Sequence, residues 1–177
     1  MKMETSRLII ENLTRDDAAF TLALLNDQDF IANIGDRQIR TVAEAEMYLL
    51  NGPIASYRDN GFGMYAVREK STGATLGMCG LVKRAALENV DIGYGFLPAG
   101  RGQGYAFEAA SRVVELALKE LDIRRLVAIV SPENKASIAL LEALGLIYDS
   151  KIQLALDEDP ICLYVLQAHR HGSPYPA

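Results

Sequence analysis

Apolar and polar positions follow two periods along this chain, and the switches between them lay out its elements. Residues 7–13 alternate as a short strand. Thr14-Arg-Asp-Asp17 then reads as a capping box, with Thr14 as N-cap and Asp17 returning to the backbone, ahead of a helical run over 18–25. Thr41 and Glu44 repeat that device before a helix expected to stop near Asn51-Gly52-Pro53. A further helical piece covers 54–59 and breaks at Asn60-Gly61. Strand patterns at 62–69 and 75–83 flank Lys70-Ser-Thr-Gly73, a hairpin signal, and a third strand covers 89–97. After a glycine-rich turn comes a helix over 105–121, with Ala106, Ala109, Ala110, Val113, Val114, Ala117 and Leu118 at helical spacing. Residues 126–130 are wholly apolar, as strands buried on both faces of a parallel sheet are. A helix over 133–144 ends on Gly145, and strands at 147–156 and 161–167 flank Asp157-Glu-Asp-Pro160 as a last hairpin.

This order predicts a mixed α/β fold with helices packed on a sheet, organised as a single domain over 1–168. The remainder, 169–177, holds Gly172, Pro174 and Pro176 and reads as a flexible tail; His169 and His171 lie there, without ligand spacing. Half of the 177 residues are apolar and the formal net charge is −5. No sequence-wide positive field attracts phosphate backbones, so nucleic acid is not an expected partner. Cys79 and Cys162 sit in strand-like apolar runs without a second ligand at zinc spacing, and are expected as buried free thiols with no metal. The N-terminus lacks an apolar signal core and no apolar run reaches bilayer length, so the expectation is a cytoplasmic protein without a membrane partner.

The chemistry concentrates in Pro98-Ala-Gly-Arg101-Gly102-Gln103-Gly104-Tyr105-Ala106, between a strand and a long helix. The first amides of a helix have no internal partners and carry the positive end of its dipole, so this loop suits an anion, and a pyrophosphate in particular. Glycines at 100, 102 and 104 form no G-x-G-x-x-G, because Tyr105 and Phe107 stand at the third-glycine positions; no Gly-Lys-Ser/Thr exists either. Dinucleotide and P-loop readings are therefore disfavoured, which leaves another pyrophosphate ligand or a plain strand-to-helix turn.

Arg101-x-x-Gly104-x-Ala106 resembles the signature of the GNAT superfamily of N-acetyltransferases. Ile92-Gly-Tyr94, Gly104-Tyr-Ala-Phe-Glu-Ala109, the opening Ser6-Arg-Leu-Ile-Ile10 and Leu13-Thr-Arg-Asp-Asp17 are similar to its RimJ/RimL-type branch. A second block, Asn134-Lys-Ala-Ser137 and then Leu140-Leu-Glu-Ala-Leu-Gly145, follows in the expected order. The resemblance implies a central, mostly antiparallel sheet, helices on both faces, and a V-shaped splay between two parallel strands. It implies acetyl-CoA as co-substrate, with the pyrophosphate on the amides of Gly102, Gln103, Gly104, Tyr105 and Ala106, and with Arg101 either on a phosphate or solvated. Pantetheine would run along 94–97, bonded to the backbone of Phe96 and Leu97, with an oxyanion donor near Gly95–Phe96. Gly93 and Gly95 mark either that approach or a bulge without a ligand. Asn134 would reach the coenzyme, cap its helix, or both.

For the transfer itself, a base must deprotonate the attacking amine. Asp91 is the nearest strand acid and would act through water, unless it is simply a solvated strand end; Glu88 and Tyr94 are further candidates. Where many GNAT enzymes carry a tyrosine as acid this chain has Leu141, and Ser137 is the alternative proton donor or else a helix residue bonding back to its own backbone. Glu108 and Glu142 read as structural. The implied acceptor is a protein or peptide N-terminus; the alternatives are a small amine (polyamine, amino acid or drug) or a non-catalytic acyl-CoA sensor. Asp27, Asp29, Asp36, Glu44 and Glu46, in the segment expected to shape the acceptor site, suit a cationic acceptor. The family leaves room for a homodimer through the last strands.

Overall fold

The computed structural model describes residues 1–155 and 159–167, so the tail, its histidines and the tip of the last hairpin lie outside the described residues. In chain order the elements are β1 (Lys2–Glu4), β2 (Leu8–Asn12), a 3-10 turn (Arg15–Asp17), α1 (Ala18–Leu25), α2 (Gln28–Ile34) and α3 (Val42–Leu49). A π-helical turn (Leu50–Ile54) runs into α4 (Ala55–Asn60), followed by β3 (Met64–Glu69), β4 (Thr75–Val82) and β5 (Val90–Phe96). The second half contains α5 (Tyr105–Glu115), β6 (Arg125–Val130), α6 (Lys135–Ala143), β7 (Ile147–Ile152) and β8 (Ile161–Gln167).

The strands form one eight-stranded sheet in the order β1-β2-β3-β4-β5-β6-β8-β7. Every neighbouring pair is antiparallel except β5 and β6. The pleat sends successive side chains to opposite faces. Tyr65 and Val67 enter a core with Ala109, Ala110 and Val113 of α5, whereas Ala66 between them joins Leu24 of α1 and Leu49 of α3. Helices therefore cover both faces. No helix among the described residues is long and apolar enough to cross a membrane.

Local chemistry explains most boundaries. Asp17 accepts the Thr14 N–H at 2.8 Å, and Glu44 accepts the Thr41 N–H at 2.9 Å while Thr41 Oγ1 accepts the Glu44 N–H at 3.2 Å. At the end of α6, Gly145 adopts φ +87°, with Gly145 N–H on the Glu142 carbonyl and Leu146 N–H on that of Leu141, a Schellman ending. Asn51-Gly52-Pro53 does not stop its helix: a wider π turn absorbs Pro53, whose missing N–H and ring an α turn would not accommodate. Two elements went unpredicted. β1 has three residues, too few to show a period, and α2 has only seven, with Phe30, Ile31 and Ile34 at helical spacing but too short a run to stand out from the loops around it.

Candidate active site

Between β5 and α5 the chain makes the glycine turn that the sequence marks as an anion site. Gly102 and Gly104 sit at φ +70° and +78°, a left-handed conformation that side chains resist. The first backbone bond of α5 runs from Glu108 N–H to the Gly104 carbonyl at 3.1 Å. The amides of Tyr105, Ala106 and Phe107 thus lie in the first turn without a helical acceptor. Arg7 braces this loop from β2's approach, a role the sequence did not disclose. Its Nη1 donates to the Gln103 carbonyl at 2.9 Å, its Nε to Glu108 at 2.7 Å, and its guanidinium lies 4.4 Å from the centre of the Tyr105 ring. Burial would push the Glu108 carboxyl up, but donors from Thr5, Arg7 and Ser6 hold it near 2. Gln103 folds its amide back onto the Ala99 carbonyl at 2.8 Å.

Along β5 the ladder with β4 runs without a register shift from Gly77↔Phe96 to Val82↔Asp91, so Gly93 and Gly95 do not form a bulge against β4. Pairing with β6 covers only Val90↔Leu126 and Asp91↔Val127. Beyond that point the two parallel strands part. Leu97 donates its N–H to the Leu76 carbonyl at 2.9 Å, and its own carbonyl accepts from Gly100 at 2.9 Å. Its backbone is therefore engaged within the fold, against the expectation that it would bond a ligand. Alternation along a strand then turns the N–H and C=O of Phe96 and Tyr94 toward the gap. Gly95 is closely covered: a Cβ there would stand 3.1 Å from Phe30 of α2.

A cavity of about 870 Å³ opens on this gap, with Tyr94, Gly95, Asn134 and Ser137 on one side and Phe30 and Tyr48 on another. Asp91 lines it where β5 and β6 still pair. It is 1 % exposed, not the solvated strand end that was the alternative. Its Oδ2 accepts from Arg84 Nε at 2.5 Å and its Oδ1 has no partner. Burial pushes its carboxyl up to about 6, although Arg84 and the nearby Ile129 amide favour the charged form. Across the gap the Tyr94 hydroxyl and Ser137 Oγ lie 2.7 Å apart, and burial pushes the phenol up to about 12, so it is protonated at neutral pH. Asn134 caps α6 by accepting the Ser137 N–H at 3.1 Å. Arg101 is not solvated: it donates to Asp29 at 2.7 Å and to Asp27, tying α2 to the turn. Leu141 is 1 % exposed in the core. Cys79 and Cys162 are free and buried.

Unpaired first-turn amides, a parted strand pair, and a cavity lined by a buried carboxylate and a hydroxyl pair can bind an extended thioester and move protons at both ends of an acyl transfer. Comparison with known proteins agrees. A family model described as "Acetyltransferase (GNAT) domain" matches residues 7–147. The chain is 31 % identical over 157 residues to YkkB of Bacillus subtilis (strain 168), an uncharacterised protein, covering 86 % of this chain and 88 % of that one. Among solved structures, RimL, a ribosomal L7/L12 alpha-N-protein acetyltransferase in complex with coenzyme A, superposes with TM-score 0.81 at 14 % identity over 94 % of this chain and 98 % of its own. The spermidine N-acetyltransferase from Vibrio cholerae, in complex with CoA and spermine, gives 0.75 at 16 % identity over 92 % and 96 %.

Proposed function

The chain belongs to the GNAT acetyltransferase family, and on that premise we propose that it moves the acetyl group of acetyl-CoA onto the α-amine of a protein or peptide N-terminus. The observation that carries the site assignment is the course of β5, which leads from the glycine turn, along a gap where pairing with β6 has ceased, to a buried carboxylate in a cavity. Amides of Gly102, Gln103, Gly104, Tyr105 and Ala106 take the pyrophosphate, braced by Arg7. The Phe96 N–H, aimed into the gap, stabilises charge growing on the thioester oxygen.

Asp91 removes the proton of the attacking ammonium through a water. The nitrogen then forms its bond to the carbonyl carbon as the carbon–sulfur bond breaks and sheds its second proton to solvent, while the departing sulfur takes a proton from the Tyr94–Ser137 hydroxyl pair, which solvent restores. A small amine fits the same chemistry, and a fold shared with a ribosomal-protein enzyme and a spermidine enzyme does not separate the two acceptors. Free-thiol release from acetyl-CoA over panels of peptides, polyamines and amino acids tests the reading, with the products identified by mass. Peptide turnover above the other panels supports it. Tight coenzyme binding with no turnover on any amine would instead favour a silent acyl-CoA sensor.

A further inference from the structure

The five acids expected to attract a cationic acceptor are all engaged elsewhere. Asp27 and Asp29 hold Arg101, Asp36 pairs with Arg40, and Glu46 pairs with Arg15. Glu44 accepts the amides of Arg40 and Thr41. None of the five lines the cavity on the β5 gap. The charged side chains that do line it, among the described residues, are Arg37, Lys83 and Arg84 against Asp59 and Asp91. Asp59 is already paired with Arg58 at 2.6 Å. Among the described residues the cavity thus carries three cations against two anions, in a chain of net charge −5.

Arg84 is the organised member of that lining. Asp91 accepts its Nε, which fixes the guanidinium plane, and Nε is its one hydrogen-bonding nitrogen among the described residues. Its terminal nitrogens keep the fork that recognises a carboxylate. Arg37 reaches the same region from the loop after α2, since both guanidiniums act on the Tyr48 hydroxyl. Beside the fork, Asp91 Oδ1 is buried and completes no hydrogen bond, with the Ile129 amide near the carboxyl. These cations are not placed for the coenzyme phosphates: Asp91 lies five residues before Phe96, roughly 16 Å along the strand and away from the glycine turn.

An unused guanidinium fork next to an unsatisfied buried carboxylate oxygen is the complement of an anion and an ammonium held close together. We propose that the acceptor carries an anionic group, a carboxylate above all, beside the amine that is acetylated, and that Arg84 reads it. The inference rests on the transferase reading and narrows its acceptor. Two sources supply this chemistry: the α-carboxylate of a free amino acid, or an acidic side chain close behind a peptide N-terminus.

Matched acceptors decide it with the unmodified protein. The pairs are an amino acid against its α-amide, and a peptide beginning Ser-Asp-Glu against one beginning Ser-Asn-Gln, each assayed with saturating acetyl-CoA. The carboxylate member of one pair is expected to lead in kcat/KM by about tenfold or more, the scale of one charge-assisted hydrogen-bonding pair, and the pair that responds identifies the source. In Arg84→Gln the ratio should collapse toward one, and Arg84→Lys should restore part of it. Equal rates within both pairs, or a polyamine surpassing all four, would overturn the inference while leaving the transferase intact. Calorimetry on the coenzyme-loaded protein separates the other failure: selective binding of the carboxylate members without turnover would sustain the anion site and remove the transferase reading.

Discussion

Asp91 is held between two influences, burial that favours its neutral form and Arg84 that favours its charged form, and burial prevails to bring it up to about 6. A base must be unprotonated to act, so kcat/KM is expected to rise with pH through about 6. Asp91→Asn should lose that limb and fall by about 10²–10⁴-fold, the usual contribution of a positioned base. A variant that keeps the limb would move the role to another group. At the other end of β5, Gly104 holds φ +78°. Gly104→Val places a β-branched residue in a left-handed conformation, at a local cost of about 1–3 kcal/mol, and sets its Cβ 3.5 Å from the Arg7 guanidinium that braces the turn proposed to hold the pyrophosphate. The folded protein is expected to survive with a lowered Tm and to bind acetyl-CoA at least about a hundredfold more weakly by calorimetry. Unchanged affinity would place the coenzyme somewhere other than this turn.

At the level of elements, α2 is joined to the glycine turn through ion pairs and to the core through the partly buried Phe30. It buries no residue, its N-terminus is capped by Asp27 accepting from Asp29 and Phe30 at 3.1 Å, and its acids hold Arg101. Phe30 lies over Gly95, so displacing α2 would uncover the middle of the β5 gap. Arg101→Ala should therefore speed hydrogen exchange across residues 28–34 severalfold and raise the KM for acceptor, since partly exposed ion pairs contribute up to about 1 kcal/mol each. Exchange unchanged in that segment would show α2 held by other contacts. The same helix marks the limit of what the sequence disclosed. Helices α1, α3, α5 and α6 were legible from apolar runs, spacing and caps, the strands from β2 to β6 and β8 from apolar faces turned to the core, and the exposed β7 only from its hairpin with β8. Helix α2 was missed because its two turns hold only Phe30, Ile31 and Ile34 as apolar signal and bury none of them fully. The glycine turn was legible because unusual backbone geometry demands unusual residues. Arg7 and Arg84 were not, since their partners Gln103, Glu108 and Asp91 are set by sheet register and chain crossings that no local pattern carries. The acids of the segment 27–46 misled for the same reason: their charge was visible, but their pairing with Arg101, Arg40 and Arg15 was not.

Across the described residues, eight carboxylates are held below their ordinary range and so support the fold when charged, and one, Asp91, is held above it. Glu108 is held near 2 against an ordinary 4.5, and Asp27, Asp36, Glu44 and Glu69 are likewise lowered, Asp27 despite its burial and the others by hydrogen bonds from neighbouring groups. A depressed carboxylate contributes stability that is complete above its unfolded pKa and is lost as pH falls through the folded one. Asp91 has the reverse sign, because the folded state holds its proton more tightly: its favourable contribution exists below 3.8 and disappears as pH rises to about 6. The sum predicts a urea midpoint that changes little from pH 7 to 5 and declines steeply below about 4.5. Glu108 adds a structural consequence, since it is the shared acceptor for Thr5, Ser6 and Arg7, and Arg7 in turn braces the Gln103 carbonyl. Discounted for its partial exposure, its charge is worth about 2 kcal/mol at neutral pH. Glu108→Gln should therefore lower the urea midpoint at pH 7 and flatten the acid decline. It should weaken acetyl-CoA binding in parallel, because the chain that loosens the N-terminal strands also frees the coenzyme turn. Loss of stability with intact coenzyme affinity would mean that the turn keeps its shape without Arg7, and that its glycines alone set the direction of its amides.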